Sequence, residues 1–251
     1  MHTQHISSSN LEIPGYALGY ITLDTKDTLM AQLAQSKSVE LLLLELEADA
    51  ERMRKVLIDV VVPAGSAMFP LDLLAFAAAK RHASTTSAFV IMVRSWNMVI
   101  ARALLRMHID TSLRFSAAWH VSDPHAFASS VLKGKRIDKM KSRTGARLTD
   151  AHLVQLHKEQ HPWLPAVYGH LSGYVHFSGA HISDAVHLVG EDDRTVEFLV
   201  SDKDLKFPES SWTEVLDCFR EATSILGTFL QGWGATKKLS KKQLEELRGG
   251  V

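Results

Sequence analysis

The feature that most constrains this fold is a run of 34 residues, 86–119, that contains neither proline nor glycine. The run is rich in alanine, leucine, methionine and isoleucine, which are all compatible with a helix. Because no residue in it would end a helix, the run predicts one long helix over residues 86–119. Its apolar residues lie nearly all round that helix, which is typical of a central, buried element.

The rest of the chain predicts a mainly all-α fold, a helical bundle with one small β-hairpin. Apolar spacing, helix-starting residues and helix-ending residues indicate further helices over residues 27–61, 71–80, 124–134, 149–161, 165–177 and 209–233. Residues 186–200 instead alternate apolar and polar side chains around a polar turn, which predicts the hairpin. A short strand is also expected within residues 17–23.

The domain organisation is expected to be simple. We expect an irregular N-terminal segment over residues 1–25, one helical domain over residues 26–235 and a charged, flexible tail over residues 236–251. The apolar fraction of 46% and the charged fraction of 22% are those of an ordinary globular protein. A single cysteine excludes an intramolecular disulfide.

The sequence contains no stretch of about 20 apolar residues and no apolar signal core near its start. We therefore expect a soluble, cytoplasmic protein with no membrane partner. Lys+Arg and Asp+Glu both number 28, and this zero net charge argues against general binding of duplex DNA. Residues 133–147 are locally basic, with seven Lys or Arg against one acid, and predict a mobile surface loop.

Four charged residues recur every fourth position along the predicted central helix. Arg102, Arg106, Asp110 and Arg114 therefore share one stripe of an otherwise apolar helix. Arginine is rarely buried without a partner, so the stripe predicts either an ionic network or a polar cleft. In the first alternative Asp110 bridges Arg106 and Arg114, and Arg102 reaches solvent. In the second alternative the guanidinium groups bind an anion such as a phosphate.

A second polar row has the same spacing. Tyr168, Ser172 and His176 are four residues apart, and His181 follows one short turn later. The row fits a hydrogen-bonded network inside the core or a ligand site that faces the arginine stripe. If the two rows face each other, Arg106 and His176 would share one site, with His176 as general acid or base.

Metal and cofactor motifs are not evident. His157 and His161 have a spacing that can hold zinc, but Pro162 ends the helix directly after them and no cysteine lies nearby. Gly-rich phosphate loops are absent from the sequence. We therefore expect no metal and no cofactor.

Two segments resemble bacterial HEPN-like helical families. Residues 94–115, RSWNMVIARALLRMHIDTSLRF, look like the long helix of these families, and residues 168–181, YGHLSGYVHFSGAH, are similar to their later Tyr…Ser…His helix. Together the two segments cover a modest part of the chain. The resemblance implies an all-helical, often dimeric protein from a toxin or antiviral defence system.

Many HEPN proteins are metal-independent ribonucleases whose signature is an arginine followed, after four to six residues, by a histidine. Three spacings match it: Arg102 with His108, Arg114 with His120, and Arg147 with His152. Arg102 and His108 lie on largely opposed sides of one helix, so they would not form one site within a single chain. We therefore expect first a helical module that binds an anionic ligand, a nucleotide or a protein partner. The alternative is a metal-independent ribonuclease acting on RNA.

Overall fold

A computed structural model describes residues 17–21, 37–61, 63, 65, 67–190, 195–239 and 243. This part of the chain is mostly helical, as predicted, and none of its helices is long and apolar enough to cross a membrane. We number its helices α1 Lys37–Lys55, α2 Pro70–Arg94, α3 Met98–Ser116, α4 Pro124–Leu132, α5 Asp150–His157, α6 Leu164–Val175, α7 Gly179–Ala185 and α8 Glu209–Thr236. A π-helical turn, Val56–Val61, continues α1, and short 3-10 turns cover Ala117–Trp119 and Ile137–Lys139.

The single long helix predicted over residues 86–119 is wrong, because the chain breaks it at residues 95–97. Trp96 has a φ of 61°, a left-handed conformation that costs a bulky residue free energy. Asn97 then caps α3, its side chain accepting a hydrogen bond from Ile100 N at 3.0 Å. Consequently α2 is longer than predicted and α3 is shorter.

A distant residue stabilises this break. The Asp204 carboxylate accepts hydrogen bonds from Met98 N at 2.7 Å and from Val99 N at 3.1 Å. Its backbone N–H donates to the Trp96 carbonyl at 2.7 Å, and the Trp96 ring packs edge-on against Trp212. Tertiary contacts therefore replace the helical hydrogen bonds that the break removes.

Helix α3 is the centre of the bundle. It packs against α2, α5, α6 and α8, and one continuous core of buried apolar residues joins these elements to α1. The π-helical turn after α1 approaches α8 so closely that a Cβ at Gly234 would lie 2.6 Å from the Val60 carbonyl oxygen. Only glycine fits there.

Three short strands form a small sheet beside the helices. Strands β2 Val186–Gly190 and β3 Thr195–Phe198 pair antiparallel, and β1 Ala17–Ile21 pairs parallel with β3. The strand order is β1-β3-β2. The turn of the predicted hairpin, residues 191–194, lies outside the described residues.

The basic segment 133–147 folds back on itself. Lys141 and Arg147 form an isolated antiparallel bridge, and Leu148 N donates to the Met140 carbonyl at 3.0 Å. Both Met140 and Leu148 are buried. Their burial fixes the loop against the bundle and places Ile137 beside α2 and α3.

The structure differs from the sequence-based expectation in two further places, at the end of α6 and at the start of the predicted tail. Helix α6 ends at Val175, two residues earlier than predicted, and α7 follows where no helix was predicted. Lys237, at the start of the predicted flexible tail, pairs with the fully buried Asp72 at 3.0 Å and donates to the Val61 carbonyl at 2.7 Å. Most of residues 236–251, and all of residues 1–16 and 22–36, lie outside the described residues.

Candidate functional site

The middle of the arginine stripe forms a compact network with α6. Arg106 pairs with Asp110, and its guanidinium carbon lies 3.5 Å from the centre of the Tyr168 ring. The Tyr168 hydroxyl donates to Asp110 Oδ1 at 3.1 Å. Burial and the negative charge of Asp110 raise the pKa of Tyr168 well above its usual value, so the phenol stays protonated as the donor. Arg106 is buried, and its Nε has no hydrogen-bond partner among the described residues.

The two ends of the stripe pair elsewhere. Arg102 donates to the Tyr174 hydroxyl at 2.5 Å and lies 3.6 Å from Asp184. Arg114 binds Asp150 of α5 through Nε at 3.1 Å and through Nη2 at 3.0 Å. The predicted network is therefore wrong in two respects: Asp110 does not bridge to Arg114, and the Arg102 side chain is only 12% exposed.

The second predicted row does not continue to His176. Because α6 ends at Val175, His176 has an extended backbone and an exposed side chain. Among the described residues, no hydrogen bond, ion pair or ring contact joins it to Arg106. Ser172 is exposed and donates to the Tyr168 carbonyl at 2.9 Å. His181 caps the start of α7, its Nδ1 accepting from Ser178 N at 3.3 Å.

A cavity of about 270 Å³ opens on the other side of Asp110, between α2 and α3. Polar side chains of both helices line part of it, and the remaining wall is apolar. Its lining consists of Leu74, Ala77, Ala78, Arg81, Asp110, Thr111, Arg114, Phe115 and Ile137. We call this space the Arg81 cavity.

Small residues on α2 and a packed loop explain why the cavity exists. Residues 75–79 read Ala-Phe-Ala-Ala-Ala, so the α2 surface at this level carries mostly methyl groups and leaves space in front of α3. Ile137, held by the folded-back basic loop, closes one side. The cavity thus arises from small residues on one helix and a packed loop, which the charge pattern of α3 alone does not reveal.

Arg81 distinguishes the cavity from the paired network. It is exposed, and its guanidinium makes no ion pair and no hydrogen bond within the part of the chain that the structure describes. The cavity's other charged groups, Asp110 and Arg114, each have a partner outside it. The sequence analysis missed Arg81 because the helix it predicts there ends at residue 80, whereas α2 continues to Arg94.

The three arginine–histidine spacings have different surroundings. His108 is fully buried, its Nε2 lies 2.9 Å from Thr223 Oγ1, and burial holds its pKa well below the ordinary value. It therefore cannot reach an RNA backbone. His120 and His152 are half-buried, and the Nε2 of each has no hydrogen-bond partner in the described structure.

Histidines also cluster at the C-terminal end of α3. The His120 and His157 rings lie 5.8 Å apart, and His157 Nε2 lies 2.7 Å from Ser116 Oγ. Burial lowers the pKa of His157 to about 4, with further contributions from His120 and His161. Within the described residues, no group of three or more His, Cys, Asp or Glu side chains is arranged to hold a metal ion.

Comparison with protein-family models, with curated proteins and with solved structures gives no match for this chain. The resemblance of residues 94–115 and 168–181 to HEPN-like families therefore gains no support from these comparisons.

Proposed function

We propose that this chain is a binding module that takes up a small anionic ligand in the Arg81 cavity. The proposal is based on one observation: the exposed guanidinium of Arg81 has no partner among the described residues and lies at the edge of a partly apolar cavity. Ligand sites commonly combine an apolar lining with a few convergent polar groups. Arginine binds carboxylates and phosphates through paired N–H donors.

The charge balance around the cavity favours an anion. Arg81, Arg106 and Arg114 contribute three positive charges, and Asp110 and Asp150 contribute two negative charges. One positive charge is left, and it belongs to Arg81. The expected ligand therefore carries at least one negative charge.

The size of the cavity limits the ligand. A volume of about 270 Å³ is near the lower end of the usual range for small-molecule sites, roughly 300–1,000 Å³. It accommodates a metabolite but not a stretch of polymer. The proposal thus concerns a small molecule rather than a polynucleotide threaded through the cavity.

Calorimetric titration with inorganic phosphate at low ionic strength tests the proposal. We expect Arg81→Ala to weaken phosphate binding by about 10-fold or more, because a hydrogen bond to a charged group contributes roughly 1.5–3 kcal/mol. Lys80→Ala is the matched control, since Lys80 is the adjacent exposed cation and does not line the cavity. Equal phosphate affinity of the two variants would refute the proposal.

A metal-independent ribonuclease is the second candidate, and one observation favours it. The unpartnered Nε2 atoms of His120 and His152 lie near the basic loop, and the Arg143 charge contributes, after burial, to lowering the pKa of His120. Two half-buried histidines beside a guanidinium are suited to acid–base chemistry on a phosphodiester. RNA cleavage in the presence of EDTA that is lost in both His120→Gln and His152→Gln would support this function. Undiminished cleavage by both variants, or no cleavage by the parent protein, would exclude it.

A further inference from the structure

Four polar side chains line the Arg81 cavity, and three of them are already engaged within the protein. Asp110 pairs with a neighbouring arginine of α3 and accepts from a tyrosine hydroxyl of α6 at 3.1 Å. Thr111 donates its hydroxyl to a backbone carbonyl of its own helix at 2.9 Å, and Arg114 binds a carboxylate of α5. Among the described residues of the lining, only the Arg81 guanidinium therefore has no hydrogen-bond or ion-pair partner.

The free guanidinium determines the charge expected of the ligand. The ion pairs of Asp110 and Arg114 leave one positive charge unbalanced at the cavity, and this is the charge of Arg81. A carboxylate matches a guanidinium, because it has one negative charge and two acceptor oxygens. A second charged group on the ligand would find no free partner among the lining side chains, which disfavours amino acids and dicarboxylates.

The rest of the lining is apolar and comes from α2, α3 and the basic segment. Its five side chains have no polar atoms and are Leu74, Ala77, Ala78, Phe115 and Ile137. A ligand gains free energy when its own apolar atoms cover such a wall in place of water. Away from its carboxylate, the ligand is therefore expected to have a hydrocarbon body rather than a sugar or a polar chain.

The volume of the cavity determines how large this body can be. At roughly 30 Å³ per water molecule, a volume of about 270 Å³ corresponds to about nine waters. Each water has a single non-hydrogen atom, so a ligand with about nine non-hydrogen atoms fits without expansion of the cavity. Benzoate is a molecule of this size, whereas a nucleotide or a long-chain fatty acid is too large.

We propose that the ligand of the Arg81 cavity is a monocarboxylate with a compact apolar body. The carboxylate binds Arg81 at the edge of the cavity, and the apolar body lies against the wall that both helices and Ile137 form. This inference rests on the proposed function, because it requires the cavity to bind an anion through Arg81. It adds the charge, the apolar character and the size of that anion.

Calorimetric titration with benzoate, acetate and benzamide tests the proposal. We expect the parent protein to bind benzoate about 10-fold or more tightly than acetate, because acetate leaves the apolar wall uncovered. Benzoate should also bind about 10-fold or more tightly than benzamide, which has the same ring but no charge for Arg81. The two ratios measure the apolar body and the charge separately.

Two variants locate the bound benzoate. Arg81→Ala should weaken benzoate binding by about 10-fold or more and change benzamide binding by less than about 3-fold. Lys80→Ala is its control and should keep the parent affinities. Ala77→Leu places a larger side chain in the cavity and should weaken benzoate binding by about 10-fold or more, because the apolar body loses its space. Ala126→Leu, at an exposed alanine of α4 outside the lining, should leave it unchanged.

The possible failures are distinguishable. If phosphate binds in an Arg81-dependent way but benzoate binds no more tightly than acetate, the apolar ligand class is refuted and the anion site stands. Equal binding of benzoate and benzamide would refute the selection for a carboxylate. Unchanged benzoate binding in Ala77→Leu would show that benzoate binds elsewhere.

If Arg81→Ala changes the affinity for neither phosphate nor benzoate, the proposed function itself fails. Should Ala77→Leu fail to fold, as judged by circular dichroism, the three ligands compared in the parent protein and in Arg81→Ala decide alone.

Discussion

Helix α3 carries two polar rows with the same four-residue spacing, and the two rows differ in burial and in their neighbours. The inner row, His108, Ser112 and Ser116, is fully buried. The outer row is the arginine stripe with Asp110, which borders α6 on one side and the Arg81 cavity on the other. Both rows interrupt an apolar helix, so spacing alone does not separate a structural row from a binding site.

Most polar side-chain atoms of the inner row have partners within the protein, and only His108 Nδ1 has none among the described residues. Ser112 Oγ donates to the Ala222 carbonyl at 2.8 Å, and Ser116 Oγ lies 2.7 Å from His157 Nε2. Thr223 donates its hydroxyl to the Phe219 carbonyl, so His108 must donate its Nε2–H to Thr223. These bonds fasten α3 to α5 and α8 and leave no space for a ligand.

The outer row differs because accessible space and an unmatched charge lie beside it. Its own members are paired, yet the guanidinium of the neighbouring Arg81 has no ion-pair or hydrogen-bond partner in the described structure. Comparing the two rows indicates that a binding site is distinguished by an unpaired charged group beside accessible space. A polar row in an apolar helix is only the first indication.

The largest expected effect concerns the buried histidines packed against the inner row. Burial lowers the pKa of both His82 and His157 to about 4, whereas in the unfolded chain each has its ordinary value near 6.5. Their contribution to stability is therefore full above about pH 6.5 and is lost as the pH falls toward 4. A shift of this size corresponds to roughly 3 kcal/mol for each histidine.

Urea denaturation between pH 8 and pH 4 measures this dependence. His82→Gln should reduce the loss of stability over that range, because the amide does not titrate. His170→Gln is the control, since His170 is exposed, and it should leave the dependence unchanged. A parent protein equally stable at pH 4 and pH 7 would show that these histidines are not buried in neutral form.

The next effect is expected from Asp110→Ala in the outer row. The substitution leaves the buried Arg106 without its carboxylate, which typically costs about 3–5 kcal/mol for a fully buried pair. We expect about 2–3 kcal/mol, because the Asp110 side chain is 21% exposed and Arg114 keeps its own partner, Asp150. The midpoint of urea denaturation measures the change, and a midpoint equal to that of the parent would contradict the buried pairing.

A smaller difference in stability is expected between serine-to-alanine substitutions on α3 and on α6. Ser112→Ala removes a buried hydrogen bond to α8 and should lower the free energy of unfolding by about 1 kcal/mol. Ser172→Ala removes only an exposed bond within α6 and should cost less than about 0.5 kcal/mol. Equal losses in thermal or chemical unfolding would remove the distinction between the inner row and the surface.

Much of the helical fold could be predicted from local sequence. Asp123 and Pro124 correctly indicate the start of α4, and Thr149 correctly indicates the start of α5. The break at Trp96 could not be predicted, because Asp204, more than a hundred residues away, stabilises it. The early end of α6 likewise depends on the turn that leads into α7.

The sequence predicts only part of the candidate site. The spacing of Arg106 and Asp110 indicates an ion pair on one helix face, and the structure contains it. The cavity depends on how the alanines of α2 pack beside α3 and on where the loop places Ile137, and neither is a local property. The four-residue row predicts a helical position for His176, but α6 ends at Val175 and His176 has an extended backbone.

The central claim is that Arg81 is the anion-binding cation of this molecule and that Arg106 is structural. NMR of the arginine Nε–Hε groups during a phosphate titration tests it most directly, with Arg81→Ala used to assign the Arg81 signal. We expect saturable chemical-shift changes for Arg81 and smaller ones for Arg114, while the signals of Arg106 and of the exposed Arg136 on the basic loop stay unchanged. An unmoved Arg81 signal, or equal, non-saturating shifts of Arg81 and Arg136, would contradict anion binding by Arg81.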